Sequence, residues 1–231
     1  MAIPTFCLPH GQNIYINYDV NQQLRDLYSR AGRWPDFSDR NEFTGYVVQS
    51  ERHRLQHVDW GMDSEKVFAW GSLRFDPPWV TENVKNFAVS DAPTKLDSPE
   101  KLGVVFFLPH WRYNVDENAT LSLIKLILDE TDVHLVIKGH TRGDRLSDEM
   151  QLQLKSFSNI DLDSPYESTP LIDWADAIIN FGSSIAFEGL RQGKPVINPL
   201  YLHTNKTYFD YSGVVFDADS ETETLALLQS I

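Results

Sequence analysis

The sequence predicts an α/β protein with two lobes, each built on a doubly wound parallel β-sheet, the first lobe being incomplete. Two observations support this prediction. Short apolar segments alternate with helical segments, as in parallel sheets covered by helices. A proline-bearing stretch at residues 77–100 also separates two regions of different regularity. We therefore expect a partial N-terminal lobe over residues 1–76, a linker over 77–100 in which a helical turn or a strand could form, and a C-terminal lobe over 101–231.

The N-terminal region contains few regular elements. Strands are predicted at residues 3–8, 45–49 and 66–70, where apolar and β-branched side chains cluster. A helix is predicted over residues 20–31 from its apolar periodicity. A second helix begins after the capping residue Ser50 and ends near Gly61.

The C-terminal region alternates regularly between strands and helices. Strands are predicted at residues 103–108, 133–137, 160–162, 177–180, 196–197 and 214–216. Helices are predicted at residues 116–129, 147–157, 168–174 and 220–228, with a short one between Gly182 and Gly193. Because residues 103–108 are apolar without interruption, we expect this strand to lie in a sheet that is covered on both faces.

Residues 177–199 predict a strand, a tight turn, a helix and a second parallel strand. Ser183 and Ser184 follow Gly182 at the start of the helix, where free amide protons and about half a positive charge favour an anion. Glu188 lies about one turn into a largely apolar helix, and a buried carboxylate there needs a hydroxyl or amide partner such as a ribose diol. An ordinary turn with capping serines is the alternative interpretation.

Basic side chains follow several of the predicted strands. Arg112 follows the first strand of the C-terminal region, while Lys138 and His140 follow the second. Ligands of doubly wound sheets bind at the carboxyl ends of the strands, so these side chains indicate a phosphate site there. Each loop alone is also consistent with a polar turn that has no ligand.

Composition restricts the classes of partner. The chain has 33 acidic and 20 basic residues, a net charge of −13, which argues against nonspecific nucleic-acid binding. It has no apolar run long enough to span a membrane and no secretory signal. The single cysteine, Cys7, excludes an intramolecular disulfide and fits a reducing cytoplasm. No metal motif is recognised: the Asp161-Leu162-Asp163 segment spans the end of a strand, along which successive side chains alternate faces, and it is interpreted as structural.

Three segments resemble known families. The serine pair, Glu188 and the following GLRQGKPVI resemble the nucleotide-sugar half of GT-B glycosyltransferases, UDP-GlcNAc 2-epimerases and CDP-glycerol glycerophosphotransferases. Residues 71–76 (GSLRFD) resemble the G-x-x-R-F-D segment of glycerophosphotransferases and capsule transferases; a local Arg74–Asp76 pair is the alternative. Lys138-Gly139-His140 resembles their K-x-H-P segment, with Thr141 in place of the proline.

The resemblance implies two Rossmann-like lobes in a GT-B-like arrangement and a set of site residues. It assigns the diphosphate to Arg112, Lys138, His140, Ser183 and Ser184, the ribose to Glu188, the nucleobase to Asp163 and Tyr166, and the acceptor-side base to His10. A turn histidine without chemistry remains the alternative for His10, and packing without a role in base binding remains the alternative for Tyr166. GT-B enzymes commonly need no metal, so neither a metal nor another cofactor is expected.

The expected function is transfer of a glycosyl or glycerophosphoryl group in surface-polysaccharide synthesis. A nucleotide-sugar or CDP-alditol donor and a saccharide or lipid-linked acceptor would be its ligands, in the cytoplasm or peripherally at the inner membrane face. A sugar-nucleotide epimerase and a non-catalytic nucleotide-binding module are the alternatives. Since only three strands are predicted before residue 77, we expect the first lobe to be incomplete: either the chain is a truncated piece, or a second copy or another partner completes the lobe.

Overall fold

The computed structural model describes residues 3–9, 26, 29–30, 36–87, 101–140 and 145–231. Within these ranges the strands form two separate parallel sheets, one of three strands and one of six. Of the helix predicted over residues 20–31, only Asp26, Ser29 and Arg30 are described, and all three are helical. The chain is therefore an α/β protein with two parallel-sheet lobes, as predicted.

The smaller sheet belongs to the N-terminal lobe. Its strands are β1 (Phe6–Cys7), β2 (Gly45–Val47) and β3 (Val67–Phe68), paired in that order. Helix α1 (Glu51–Asp59) connects β2 to β3 and begins at Ser50, whose side chain accepts a hydrogen bond from the His53 amide. It ends before Gly61, which has a φ of +96° that favours glycine.

A 3₁₀ turn (Leu73–Phe75) and helix α2 (Pro77–Phe87) follow the small sheet. The helix, 11 residues long, occupies the first half of the predicted linker, in which a helical turn or a strand was allowed for. Prolines indicated a linker, yet Pro77 and Pro78 lie in the first turn, where an amide proton has no partner within the helix. The boundaries 1–76, 77–100 and 101–231 stay a prediction, since residues 88–100 lie outside the described part.

The larger sheet forms the C-terminal lobe. Its strands are β4 (Leu102–Phe107), β5 (Val133–Lys138), β6 (Ile160–Asp161), β7 (Ala177–Asn180), β8 (Val196–Pro199) and β9 (Phe216–Ala218), in the order β6-β5-β4-β7-β8-β9. The helices are α3 (Glu117–Glu130), α4 (Asp148–Leu154), α5 (Ser168–Trp174), α6 (Ile185–Arg191) and α7 (Glu221–Gln229). The strand order reverses between β4 and β7, which is where doubly wound sheets bind ligands.

Both faces of this sheet are buried. Val104 and Phe106 belong to one apolar cluster, while Val105 and Phe107 belong to the other. This two-sided burial is what the uninterrupted apolar sequence of β4 predicts. Strand β9 begins two residues later than expected, at Phe216, following a turn that includes a positive-φ glycine at Gly213.

Candidate functional site

The carboxyl ends of three central strands lie side by side. In the register of the sheet, Phe107 of β4 is opposite both Lys138 of β5 and Asn180 of β7. The loops that carry Arg112, His140 and the serine pair therefore start from one edge of the sheet. This common edge is the arrangement on which the sequence-based phosphate site depends.

The turn between β7 and α6 is held by its own side chains. Asn180 is buried and donates from Nδ2 to the Ser183 carbonyl over 3.4 Å. Gly182 has a φ of +66°, and the Ser183 hydroxyl accepts from the Ile185 amide over 3.4 Å. Ser184 occupies the N-cap position without a side-chain capping bond. The strand, turn and helix are as predicted, while the phosphate role of both serines stays a prediction.

Glu188 is the buried carboxylate of this region, with 6% of its surface exposed. Arg74, in the 3₁₀ turn of the N-terminal side, donates from Nε to Glu188 Oε1 over 2.6 Å, and its Nη2 also contacts Oε1. The neighbouring rings of Phe75 and Phe187 lie 5.6 Å apart. Burial raises the pKa of Glu188 above its ordinary value, and the guanidinium of Arg74 opposes that rise.

This contact differs from the local Arg74–Asp76 pair that the sequence left open. Asp76 is exposed to solvent, so its carboxylate does not need a countercharge. Glu188 is buried and does need one. Arg74 therefore connects the end of the small sheet to helix α6 of the other lobe.

A cavity of about 1060 Å³ lies beside this ion pair. Both the segment that follows the small sheet and the C-terminal lobe contribute to its walls. It is lined by Pro9, Leu73, Arg74, Asp76, Pro78, Trp79, Val80, Glu82, Asn83, Asn86, Glu167, Ser168, Thr169, Glu188 and Gln192. Helix α2 packs against α5 and forms one side of the cavity. Of the predicted site residues that the structure describes, only Glu188 lines this cavity.

The predicted phosphate-binding cations lie at the sheet edge. Lys138 donates from Nζ to the Ser164 carbonyl over 3.1 Å. Burial lowers the pKa of Lys138, although Glu167 and Asp163 act in the opposite direction. The ring of His140 lies 5.6 Å from that of His110, and Arg112 is exposed. Their role as phosphate ligands stays a prediction.

The predicted nucleobase residues lie in the loop between β6 and α5. Asp163 accepts a 2.7 Å hydrogen bond from Arg145, and Tyr166 packs against the apolar cluster that contains Leu171. Neither contact tests a role in base binding. His10, the predicted acceptor-side base, lies outside the described residues.

Sequence reasoning missed the contacts of two residues of this region, and it named a third, His203, only as a residue near the end of a strand. Arg74 was recognised in a motif but not as the partner of Glu188, and Trp79 was assigned to a linker. His203 is 7% exposed and stacks on Phe181 with ring centroids 5.7 Å apart. Neither of its ring nitrogens has a hydrogen-bond partner in the described part of the chain, and burial lowers its pKa. No local pattern distinguishes these residues from ordinary ones.

In the described residues, no group of three or more histidine, cysteine, aspartate or glutamate side chains could hold a metal ion. No helix in the same residues combines the length and the apolar character needed to cross a bilayer.

No protein-family model matches the sequence, and no curated protein matches it. Solved structures do resemble it. Neisseria meningitidis UDP-GlcNAc 2-epimerase bound to UDP-GlcNAc matches with a TM-score of 0.59 at 17% identity, over 99% of this chain and 61% of its own. S. aureus MnaA in its co-structure with UDP matches with a TM-score of 0.62 at 16% identity, over 99% of this chain and 59% of its own.

A third structure, Methanocaldococcus jannaschii UDP-GlcNAc 2-epimerase in complex with UDP-GlcNAc and UDP, matches with a TM-score of 0.56 at 16% identity, over 81% of this chain and 54% of its own. The chain thus spans between 54% and 61% of the length of these proteins. Identities this low establish the fold alone. The chain has the GT-B-like fold of the UDP-GlcNAc 2-epimerases, as its sequence predicted.

Proposed function

We propose that this chain binds a nucleotide-activated sugar or alditol in the cleft beside α6, with Glu188 as the ligand of the ribose diol. One observation carries the proposal: a buried carboxylate lines a large cavity and is held by an arginine through one oxygen only. Oε2 has no such partner in the described part of the chain. It is therefore the oxygen left to accept hydrogen bonds from a diol, and Arg74 orients the carboxylate and opposes the rise of its pKa on burial.

The diphosphate would lie at the carboxyl edge of the large sheet. Lys138, His140 and Arg112 supply positive charge or hydrogen-bond donors there, and Ser183 and Ser184 lie at the start of α6. Solved relatives in fold carry UDP or UDP-GlcNAc, so UDP is the first ligand to test. In an acidic protein with a net charge of −13, these few cations would be needed to hold a diphosphate.

For the reaction we propose transfer. With a sugar donor, the bond between the anomeric carbon and the diphosphate oxygen breaks, and an acceptor hydroxyl forms the new bond and gives up its proton to a base. We assign the base to His10 and stabilisation of the leaving diphosphate to Lys138 and its neighbours. The acceptor would be a saccharide or lipid-linked saccharide, and the place of action the cytoplasm, with which the free Cys7 is consistent.

Calorimetric titration with UDP tests the binding part. The wild type should bind UDP, and Lys138→Ala should weaken binding by roughly 1.5–3 kcal/mol through the loss of one charge-assisted contact. Lys125→Ala is the matched control, because Lys125 lies on α3 and bonds Gln153 instead. A wild type that binds no nucleotide would contradict the proposal.

The base is tested separately by product formation. His10→Ala should abolish transfer while leaving the donor affinity within a few-fold, since a base acts on the acceptor. If donor binds and no acceptor is ever used, the chain is a nucleotide-binding module.

A second candidate is sugar-nucleotide epimerisation. The cavity carries carboxylates on both sides, Asp76 and Glu82 from the N-terminal side and Glu167 and Glu188 from the large lobe. Incubation with UDP-GlcNAc and no acceptor separates the two reactions. An epimerase would invert the configuration at C2, visible by proton NMR, whereas a transferase would release UDP only when an acceptor is added.

A further inference from the structure

We propose that Trp79 of helix α2 is the surface on which the nucleobase of the donor stacks. The proposal rests on the proposed function, because it extends the nucleotide site from Glu188 to a second residue that lines the same cavity. It assigns base binding to a segment outside the C-terminal lobe. The occupant is a nucleoside, defined by a planar aromatic base joined to a ribose diol.

The first observation concerns the indole ring itself. Trp79 lines the cavity, and 54% of its surface is exposed. A tryptophan normally buries most of its large apolar surface, and exposing it costs free energy that a ligand can recover. Leu73, Pro78 and Val80 line the same cavity and make the surroundings of the ring apolar.

The second observation is the chemistry of the remaining lining. Glu188 is the buried carboxylate for the diol, and the indole ring is a flat apolar surface for the base. A nucleoside presents these two groups one glycosidic bond apart. The cavity holds about 1060 Å³, which is ample for a nucleoside.

The edge of a base also needs hydrogen-bond partners. Asn83 follows Trp79 by four residues on α2, so both project from the same side of the helix. Ser168 and Thr169, at the start of α5, line the cavity as well. An amide and two hydroxyls together offer donors and acceptors without a preference for one base.

The two residues that the sequence favours for the base have other contacts. Asp163 is paired with Arg145, and Tyr166 packs against the apolar core of the lobe. Trp79 has a face that a ligand can reach. If the base stacks on Trp79, Trp79→Ala should weaken UDP binding and Tyr166→Leu should not. If the base stacks on Tyr166, the reverse should hold.

The test compares UDP with inorganic pyrophosphate, which lacks the nucleoside. Trp79→Ala should weaken UDP binding by about 5- to 100-fold and leave pyrophosphate binding, measured by competition, unchanged. Trp79→Phe should retain most of the UDP affinity because it keeps an aromatic ring. Trp70→Ala is the matched control, since Trp70 is also exposed but does not line the cavity.

The outcomes separate this inference from the proposed function. If the wild type binds UDP and Trp79→Ala binds it equally well, or loses pyrophosphate to the same extent, base stacking on Trp79 is wrong while the nucleotide site stands. Loss of UDP binding in Tyr166→Leu but not in Trp79→Ala would return the base to the C-terminal lobe. If the wild type binds no nucleotide, the proposed function is wrong and this inference fails with it.

Discussion

The two sheets of this protein bury their apolar surface in different ways. The six-stranded sheet has an apolar cluster on each face. Among the described residues, the three-stranded sheet has one such cluster, formed around Val48, Met62 and Val67 beneath α1. Its other face consists of Phe6, Leu8, Gly45, Val47, Phe68 and Trp70, and the side chains of Phe6, Leu8 and Trp70 are more than half exposed.

The open face partly covers itself. Phe6 is opposite Gly45, and a Cβ atom at Gly45 would lie 2.7 Å from the Phe6 ring. Glycine therefore allows the rings of Phe6 and Phe68 to lie over β2, and Val47 is buried even though Phe6 is 52% exposed. A parallel strand can thus be shielded by aromatic side chains of its neighbouring strands, but with less burial than two layers of helices provide.

The largest difference is expected from truncating one phenylalanine in each sheet. Phe106 is fully buried, with its ring 6.0 Å from that of Phe181, so Phe106→Ala should cost about 3–5 kcal/mol of unfolding free energy. Phe68→Ala removes a half-buried ring from the small sheet and should cost about 1–2 kcal/mol of unfolding free energy. Urea unfolding followed by circular dichroism measures both. Equal losses would contradict the unequal burial of the two sheets.

The contact between the two regions is the next largest effect. Arg74→Met leaves the buried Glu188 carboxylate without its countercharge and should cost about 1–3 kcal/mol, less than for a fully buried pair because Arg74 is partly exposed. Lys85→Met breaks the exposed pair with Glu82 and should cost under about 0.5 kcal/mol. If Arg74→Met and Lys85→Met lower the unfolding free energy equally, the Arg74–Glu188 pair contributes no more to stability than an exposed ion pair.

The same variant has a predictable pH dependence. Because the native pKa of Glu188 is raised, the folded state holds this proton more tightly than the unfolded chain does. The contribution of Glu188 to the unfolding free energy is therefore greatest below about pH 4.5 and declines as the pH rises through the native pKa of this carboxyl group. Removing Arg74 should raise that pKa further, so the loss in Arg74→Met should grow between about pH 4.5 and pH 7.

How far the sequence predicted the structure depended on whether the signal was local. Residues 177–180 are a strand and Gly182 and Gly193 enclose a helix, as expected, because turns and periodicity are encoded within a few residues. Helix α2 was missed since prolines mark linkers and helix starts alike. The Arg74–Glu188 bond joins positions 114 residues apart, and no pattern in one sequence links such distant side chains.

A further comparison concerns one histidine from each lobe. Burial lowers the pKa of both His57 and His203, so the unfolded chain binds protons that the native protein excludes. Stability should therefore fall as the pH drops below about 6.5, by at most about 1.4 kcal/mol per pH unit for each group. Asp210 opposes the shift at His203, and the bond from His57 Nδ1 to the His53 carbonyl, 2.7 Å long, opposes it at His57.

The effect should be larger at His203, which is nearly buried and has no hydrogen bond to either nitrogen in the described residues. His203→Phe preserves a ring against Phe181 and should make the unfolding free energy fall less between about pH 7.5 and about pH 5.5 than it does in the wild type. His57→Phe should have a smaller effect. Urea unfolding at the two pH values measures this pH dependence. If the pH dependence of His203→Phe equals that of the wild type, another group is responsible for it.

The smallest effect is expected on the open face of the small sheet. Trp70 stacks on Phe68 with ring centroids 4.5 Å apart, but 67% of its surface is already exposed. Trp70→Ser should therefore lower the unfolding free energy by less than about 1 kcal/mol. Leu55→Ser, at a 57% exposed position on α1, is the control on the covered side and should be equally mild. A loss of more than about 2 kcal/mol at Trp70 alone would mean that something covers this face in the folded protein, and the two sheets would then be buried alike.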